Sequence, residues 1–118
     1  MTTILAIPGS WRSGSYNLAL ARAAQALAPA GCMVELASIA AIPVYDGDSE
    51  AAQGVPAPVA ELKERIAAAD ALLLVTPEYN NSVPGPLKNA IDWLSRPASD
   101  LARVFGDRPT GLIGASPG

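Results

Sequence analysis

No histidine occurs anywhere in the 118 residues, and Cys32 is the only cysteine. Those absences exclude Ser-His-Asp and Cys-His nucleophile systems, His-ligated zinc, an intrachain disulfide framework and a cysteine metal cluster. Basic residues are scarce as well. Eight Lys plus Arg against eleven Asp plus Glu give a net charge of −3 and a pI near 4.7, so the positive surface that steers proteins onto nucleic acid is missing. No apolar run approaches the roughly 18 residues a membrane helix needs, and the first residues lack the basic-then-apolar order of a secretory signal. The expectation is a soluble, cytoplasmic protein whose partners are small molecules, with neither nucleic acid nor membrane among them.

Half the residues are apolar and mean hydropathy is +0.25, a composition that folds rather than stays disordered. At 12.1 kDa the chain suffices for one domain with a core and is too short for two ordinary ones. Thr3 to Ile7 is a short apolar run closed by Pro8-Gly9 and reads as a buried strand. An Ala-rich helix follows from Asn17, with Leu20, Ala23, Ala24 and Leu27 as its inner stripe, until Pro29 and Gly31 stop it. Met33 to Leu36 is the second strand, and Ala41 to Pro58, rich in Pro and Gly, a long irregular connection. Val59, Leu62 and Ile66 mark a helix ending near Asp70, Ala71 to Val75 the third strand, Leu87, Ala90, Ile91 and Leu94 a helix stopped by Pro97, and Thr110 to Ala115 the fourth strand. Strands alternating with helices imply right-handed crossovers and a parallel sheet with helices on both faces. A doubly wound sheet would continue past its fourth strand, so a fifth strand and its helices are expected beyond Gly118, and residues 1–118 read as one domain short of its C-terminal part.

Two loops concentrate hydrogen-bonding groups at strand ends, where ligands of open α/β sheets sit. The first, Gly9 to Asn17, lies between strand one and helix one, so backbone N–H groups and the helix dipole favour an anion there. Ser10, Ser13, Ser15 and Asn17 add donors, Arg12 a charge, and Gly9 and Gly14 freedom to bend. Helix capping by Ser15 or Asn17 explains part of this loop but does not require Arg12. Neither a Walker A motif nor Gly-x-Gly-x-x-Gly is present, which argues against a nucleoside triphosphate. The second loop, Pro77 to Gly85, would flank the same crevice in a 2-1-3-4 strand order. Backbone amides of Glu78, Tyr79 and Asn80 suit the polar edge of a flat heterocycle and Tyr79 its plane; an ordinary turn at Asn81-Ser82 and a helix start at Pro84 to Pro86 leave Glu78 to Asn80 unexplained. Trp93 falls outside the helical stripe, so it either meets a partner subunit or packs under a neighbouring loop.

The pattern Gly9-Ser10-x-Arg12-x-x-Ser15-x-Asn17, with Pro77-Glu78-Tyr79-Asn80-x-Ser82-x-Pro84-Gly85-x-Leu87-Lys88-Asn89-Ala90-Ile91-Asp92-Trp93, resembles the NADPH-dependent FMN reductase family of flavin, quinone, azo-dye and chromate reductases. The resemblance runs over all 118 residues, and members continue past the Ala115 to Gly118 loop. It implies a flavodoxin-like three-layer α/β/α fold and non-covalent FMN. Ser10, Arg12, Ser15 and Asn17 would hold the phosphate, Pro77, Glu78, Tyr79 and Asn80 the isoalloxazine with Ser82 nearby, and Ser116 would lie on a third loop. It also implies a homodimer or homotetramer with the helix after the Glu-Tyr-Asn loop in the interface, which gives Trp93 a partner. The implied activity passes hydride from NADPH or NADH to FMN and on to a quinone, flavin, azo compound or metal oxyanion, with no protein residue assigned as acid or base. The rival is a flavodoxin-like electron carrier without nicotinamide activity, against which Arg12 in the phosphate loop argues. A phosphoacceptor signalling domain ranks last, because the residues after strands one and three offer no carboxylate cluster. A final alternative is that these 118 residues bind no flavin at all.

Overall fold

The computed structural model describes residues 1–116. Strands β1 (Thr2–Pro8), β2 (Cys32–Leu36), β3 (Ala71–Val75) and β4 (Thr110–Ile113) form one parallel sheet in the order β2-β1-β3-β4. That order is the one expected, and it makes the fold flavodoxin-like, with β1 and β3 side by side at the centre. Ile4 pairs with Val34 on one side and Ala71 on the other, so both edges of β1 are hydrogen-bonded and its residues from Leu5 to Pro8 are buried.

Alternate residues of the central strands face opposite layers. Leu5, Ile7 and Leu72 join the main core with Val59, Leu62 and Ile66 of α3 (Ala57–Ala68), Leu87, Ala90, Trp93 and Leu94 of α4 (Gly85–Leu94), and Val104 of α5 (Leu101–Val104). The other layer is α1 (Tyr16–Ala26), packed on β1 and β2. Among the described residues, no helix is long and apolar enough to cross a membrane.

Three expectations need correction. The buried face of α1 is Asn17, Leu18 and Ala21, whereas Leu27, placed on the inner stripe, is 80% exposed and caps the helix end. Alanines on every side of this helix make its apolar face ambiguous, and the strands beneath select the Leu18–Ala21 side. The stretch read as irregular between Ala41 and Pro58 contains a two-turn helix, α2 (Gly47–Gln53), whose Asp46 cap accepts from the Asp48 N–H at 2.9 Å and whose end is Gly54 at φ 75°. Finally, β4 stops at Ile113 rather than Ala115.

The connection from β2 is pinned to α4 and its end. Asn89 Nδ2 and Trp93 Nε1 both donate to the Pro43 carbonyl at 2.9 Å, and Asn89 Oδ1 accepts from the Tyr45 N–H at 2.9 Å. The Tyr45 ring stands edge-on to Trp93 at 4.8 Å, its hydroxyl donates to Glu50, and Arg96 lies over its face. Trp93, 1% exposed, thus belongs to the second of its two alternatives: it packs under a loop of its own chain.

Arg96 Nε donates to both Glu50 oxygens, at 2.9 and 2.8 Å, and this holds the Glu50 carboxyl below its ordinary value of 4.5. A carboxyl depressed in the folded state adds stability above its unfolded pKa and loses it as pH falls through the folded one. Stability of the wild type is therefore expected to drop more steeply below about pH 4.5 than that of Glu50→Gln. The difference is small because Arg96 is half exposed. Thermal unfolding followed from neutral to acid pH checks it, and parallel curves would remove the pair from the stability balance.

Candidate functional site at the strand ends

Ser15 begins the site. Its hydroxyl accepts from the Leu18 N–H at 3.1 Å as the cap of α1, and its own N–H donates to the Arg12 carbonyl at 3.0 Å, which curls the first loop over the helix start. Among the described residues, the amides of Ser10 to Gly14 have no protein acceptor, and Arg12 is exposed and joins no ion pair. Free amides beside a helix N-terminus and an unpaired guanidinium make a receptor for a dianion.

Asn17 is 3% exposed, and its side chain spans to the end of the sheet. Nδ2 donates to the Ala115 carbonyl at 2.9 Å while Oδ1 accepts from the Ala115 N–H at 3.0 Å. One amide hydrogen is left for a ligand, so Asn17 acts first as a tie between the loop before α1 and the loop after β4. Asn17→Ala is expected to cost about 1–2 kcal/mol by removing both bonds at a largely buried position, and to weaken any ligand that touches both loops. Urea unfolding measures the first effect; an unchanged midpoint would mean that the tie contributes nothing.

Thr76, which sequence reasoning passed over, is where the loops converge. A Cβ at Gly9 would stand 3.0 Å from Thr76 Oγ1, and one at Gly114 would collide with the Thr76 carbonyl oxygen. The loop after β4 therefore crosses Thr76 only because position 114 carries no side chain, and the loop after β1 passes it in tight contact at Gly9. The signal was a Gly directly after each of two strands, opposite a small residue after the third.

The second loop turns differently from expectation. Tyr79 and Ser82 exchange backbone bonds, N–H to carbonyl, at 3.0 and 3.1 Å, and Asn80 and Asn81 between them have φ of 53° and 61°. Two successive left-handed residues define a primed hairpin turn, which asparagine tolerates better than most residues. The turn thus explains Asn80 as well as Asn81, and the Tyr79 amide, offered above for a heterocycle, is already used. The Glu78 and Asn80 amides have no acceptor among the described residues.

Ser10, Arg12, Ser15, Asn17, Pro77, Glu78, Tyr79 and Ser116 line one cavity of about 360 Å³, joined by Tyr16 and Ala115. A second cavity, about 430 Å³, shares Glu78, Ala115 and Ser116 with it and runs over Thr76, Asn81 and Gly114 to β4. Asn80 and Ser82 line neither. Among the described residues, no cluster of acidic or thiol side chains is arranged for a metal ion.

A flavodoxin-like sheet whose β1, β3 and β4 loops enclose an anion cradle leading to an open slot defines a class of nucleotide-cofactor proteins. Residues 2–118 match the family of NADPH-dependent FMN reductases, and the chain belongs to that family. It is 50% identical over 115 residues to an NAD(P)H-dependent FMN reductase of Pseudomonas aeruginosa, covering 98% of this chain and 60% of that one. A quinone reductase of Escherichia coli is 53% identical over 94 residues, covering 79% and 50%. Among solved structures, the flavoenzyme NAD(P)H:(acceptor) oxidoreductase FerB of Paracoccus denitrificans superposes with a TM-score of 0.88 at 40% identity, covering 100% of this chain and 63% of that one. The chain spans about half to three fifths of the length of these relatives.

Proposed function

We propose that this chain forms the cofactor-binding part of an NAD(P)H-dependent FMN reductase whose electron acceptor is a small molecule such as a quinone. The observation that carries the reading is the donor set of the first loop: Ser10 and Arg12, whose amides have no protein acceptor among the described residues and whose guanidinium, that of Arg12, joins no ion pair there, line one cavity with the Ser15 cap of α1, which fits a phosphate monoester. Ser10, Arg12 and Ser15 would hold the phosphate, with the remaining Asn17 hydrogen. Pro77, the Glu78 and Asn80 amides and the Tyr79 ring would border the flavin ring, and Ser116 would close the side opposite. Ser82 supports this only indirectly, by fixing Tyr79 through the hairpin turn. When bound, FMN supplies the redox chemistry, taking a hydride from a nicotinamide and delivering two electrons to the acceptor.

The protein's own task is then placement. The cradle would fix the phosphate, Asn17 ties the third loop to the first, and the slot over Thr76 would take a flat ring. No side chain is given a proton-transfer role. The support for a homodimer or homotetramer is family resemblance, and any such contact through α4 uses its exposed residues, since Trp93 is buried within its own chain.

Anaerobic spectroscopy tests the reading. FMN added to the purified protein should give a stoichiometric yellow complex that bleaches on addition of NADPH or NADH and recovers its colour with menadione. A complex that forms but ignores both nicotinamides would favour the electron carrier; failure to bind FMN would defeat both.

A further inference from the structure

A cavity beside the anion cradle lies on the β2 side of the first loop. It has a volume of about 720 Å³ and is walled by Trp11, Ile39, Ile42, Val44, Tyr79 and Pro86. We propose that it is a second ligand site, which takes a flat, apolar aromatic molecule bearing a carbonyl oxygen at its edge.

Its volume falls within the range of small-molecule sites, about 300–1,000 Å³, and its walls are apolar and aromatic as such sites are. Val44, 84% exposed, and Tyr79, 46% exposed, present apolar surface that a ligand would remove from water. The Trp11 indole N–H is the buried side-chain donor left without any acceptor among the described residues. A buried donor without a partner costs the folded chain stability, and such exceptions in native proteins call for a reason. A carbonyl oxygen in the cavity supplies that acceptor once the indole turns its edge toward it. Asn89 also borders the cavity, but both ends of its amide are already bonded to the 43–45 backbone, so it holds the wall and does not read the ligand. Those bonds, with that of Trp93 to Pro43, keep the wall formed in the absence of a ligand. Ser10, Arg12 and Tyr79 line both this cavity and the anion cradle, so the two adjoin there.

The site does not depend on the reductase reading, and the two fail separately. Calorimetric titration with 1-acetonaphthone, an aryl ketone too hard to reduce to act as an electron acceptor, is expected to show one saturable site per chain in both FMN-free and FMN-saturated protein. Trp11→Phe should bind it roughly 3- to 10-fold more weakly, the loss of one hydrogen bond from a retained ring. Ala40→Trp, at an exposed position on the cavity rim, should abolish saturation while FMN titrates as in the wild type. The proposal is overturned by any of four results: no saturation in the wild type, wild-type affinity in either variant, displacement of the ketone by equimolar FMN, or an Ala40→Trp protein that sediments as a smaller oligomer, since a second copy would then be the occupant.

Discussion

Arg12→Ala is expected to weaken FMN binding roughly 10- to 150-fold, the equivalent of about 1.5–3 kcal/mol for one charge-assisted hydrogen bond to phosphate. Arg12 joins no ion pair among the described residues and its side chain lies at the surface, so the same substitution should leave the unfolding temperature within a degree or so. Riboflavin lacks the phosphate and provides the internal control. Its affinity, read by quenching of flavin fluorescence, should be the same in wild type and variant, and an equal loss for both flavins would place Arg12 at the ring instead. Arg12→Lys should recover only part of the affinity, because an ammonium is a point charge without the planar fork.

Trp93→Ala should destabilise the fold by about 3–5 kcal/mol, the usual cost of deleting a fully buried indole, and lower the melting temperature by roughly 10–20 °C. The reason is double. The ring is a fully buried member of the core that packs edge-on against Tyr45, and its N–H holds the Pro43 carbonyl. Trp93→Phe separates the two contributions, since it keeps much of the ring and loses the bond. Calorimetric unfolding of both variants is the measurement. A cost below about 1 kcal/mol for the alanine variant would mean that the indole is not the core residue its burial makes it.

How far the sequence carried these conclusions differs by element. The parallel sheet and its order followed from short apolar runs closed by Gly or Pro, and β3 was legible to the residue because a buried central strand has no polar position to blur it. Helix α1 was legible in extent but not in orientation: an Ala-rich helix has several plausible inner faces, and the choice is made by the strands it meets. Helix α2 was hidden because Gly47 opens it and prolines flank it, although Asp46, Asp48 and Gly54 spelled its caps.

For the site, position and composition located both loops, since donors crowded at strand ends have few other uses. What one sequence did not reveal is how donors are spent on the protein itself. Asn17 is committed twice to Ala115, and the Tyr79 amide to Ser82, and these are long-range or turn-specific bonds with no periodic trace. Trp93 was ambiguous for a related reason: its partner, the Pro43 carbonyl, is a backbone atom fifty positions away.

The anchoring of the 43–45 segment has a consequence for how such a chain can change. Asn89 and Trp93 grip only the carbonyl of Pro43 and the amide of Tyr45, groups that other residue types also carry there, the amide excepting proline. These backbone bonds are therefore blind to the side chains at 43 and 44, while the Tyr45 ring adds its own contact with Trp93. Val44, which is exposed, can be exchanged without breaking those bonds, and Ile42 for another apolar residue that keeps its packing against the core, whereas the anion cradle is tied up by the Asn17 bonds and the Gly114 contact, which tolerate little. Within one molecule, the fixed half and the adaptable half of the binding surface meet at Arg12 and Tyr79, and selection or design for new ligands has its freedom on the β2 side.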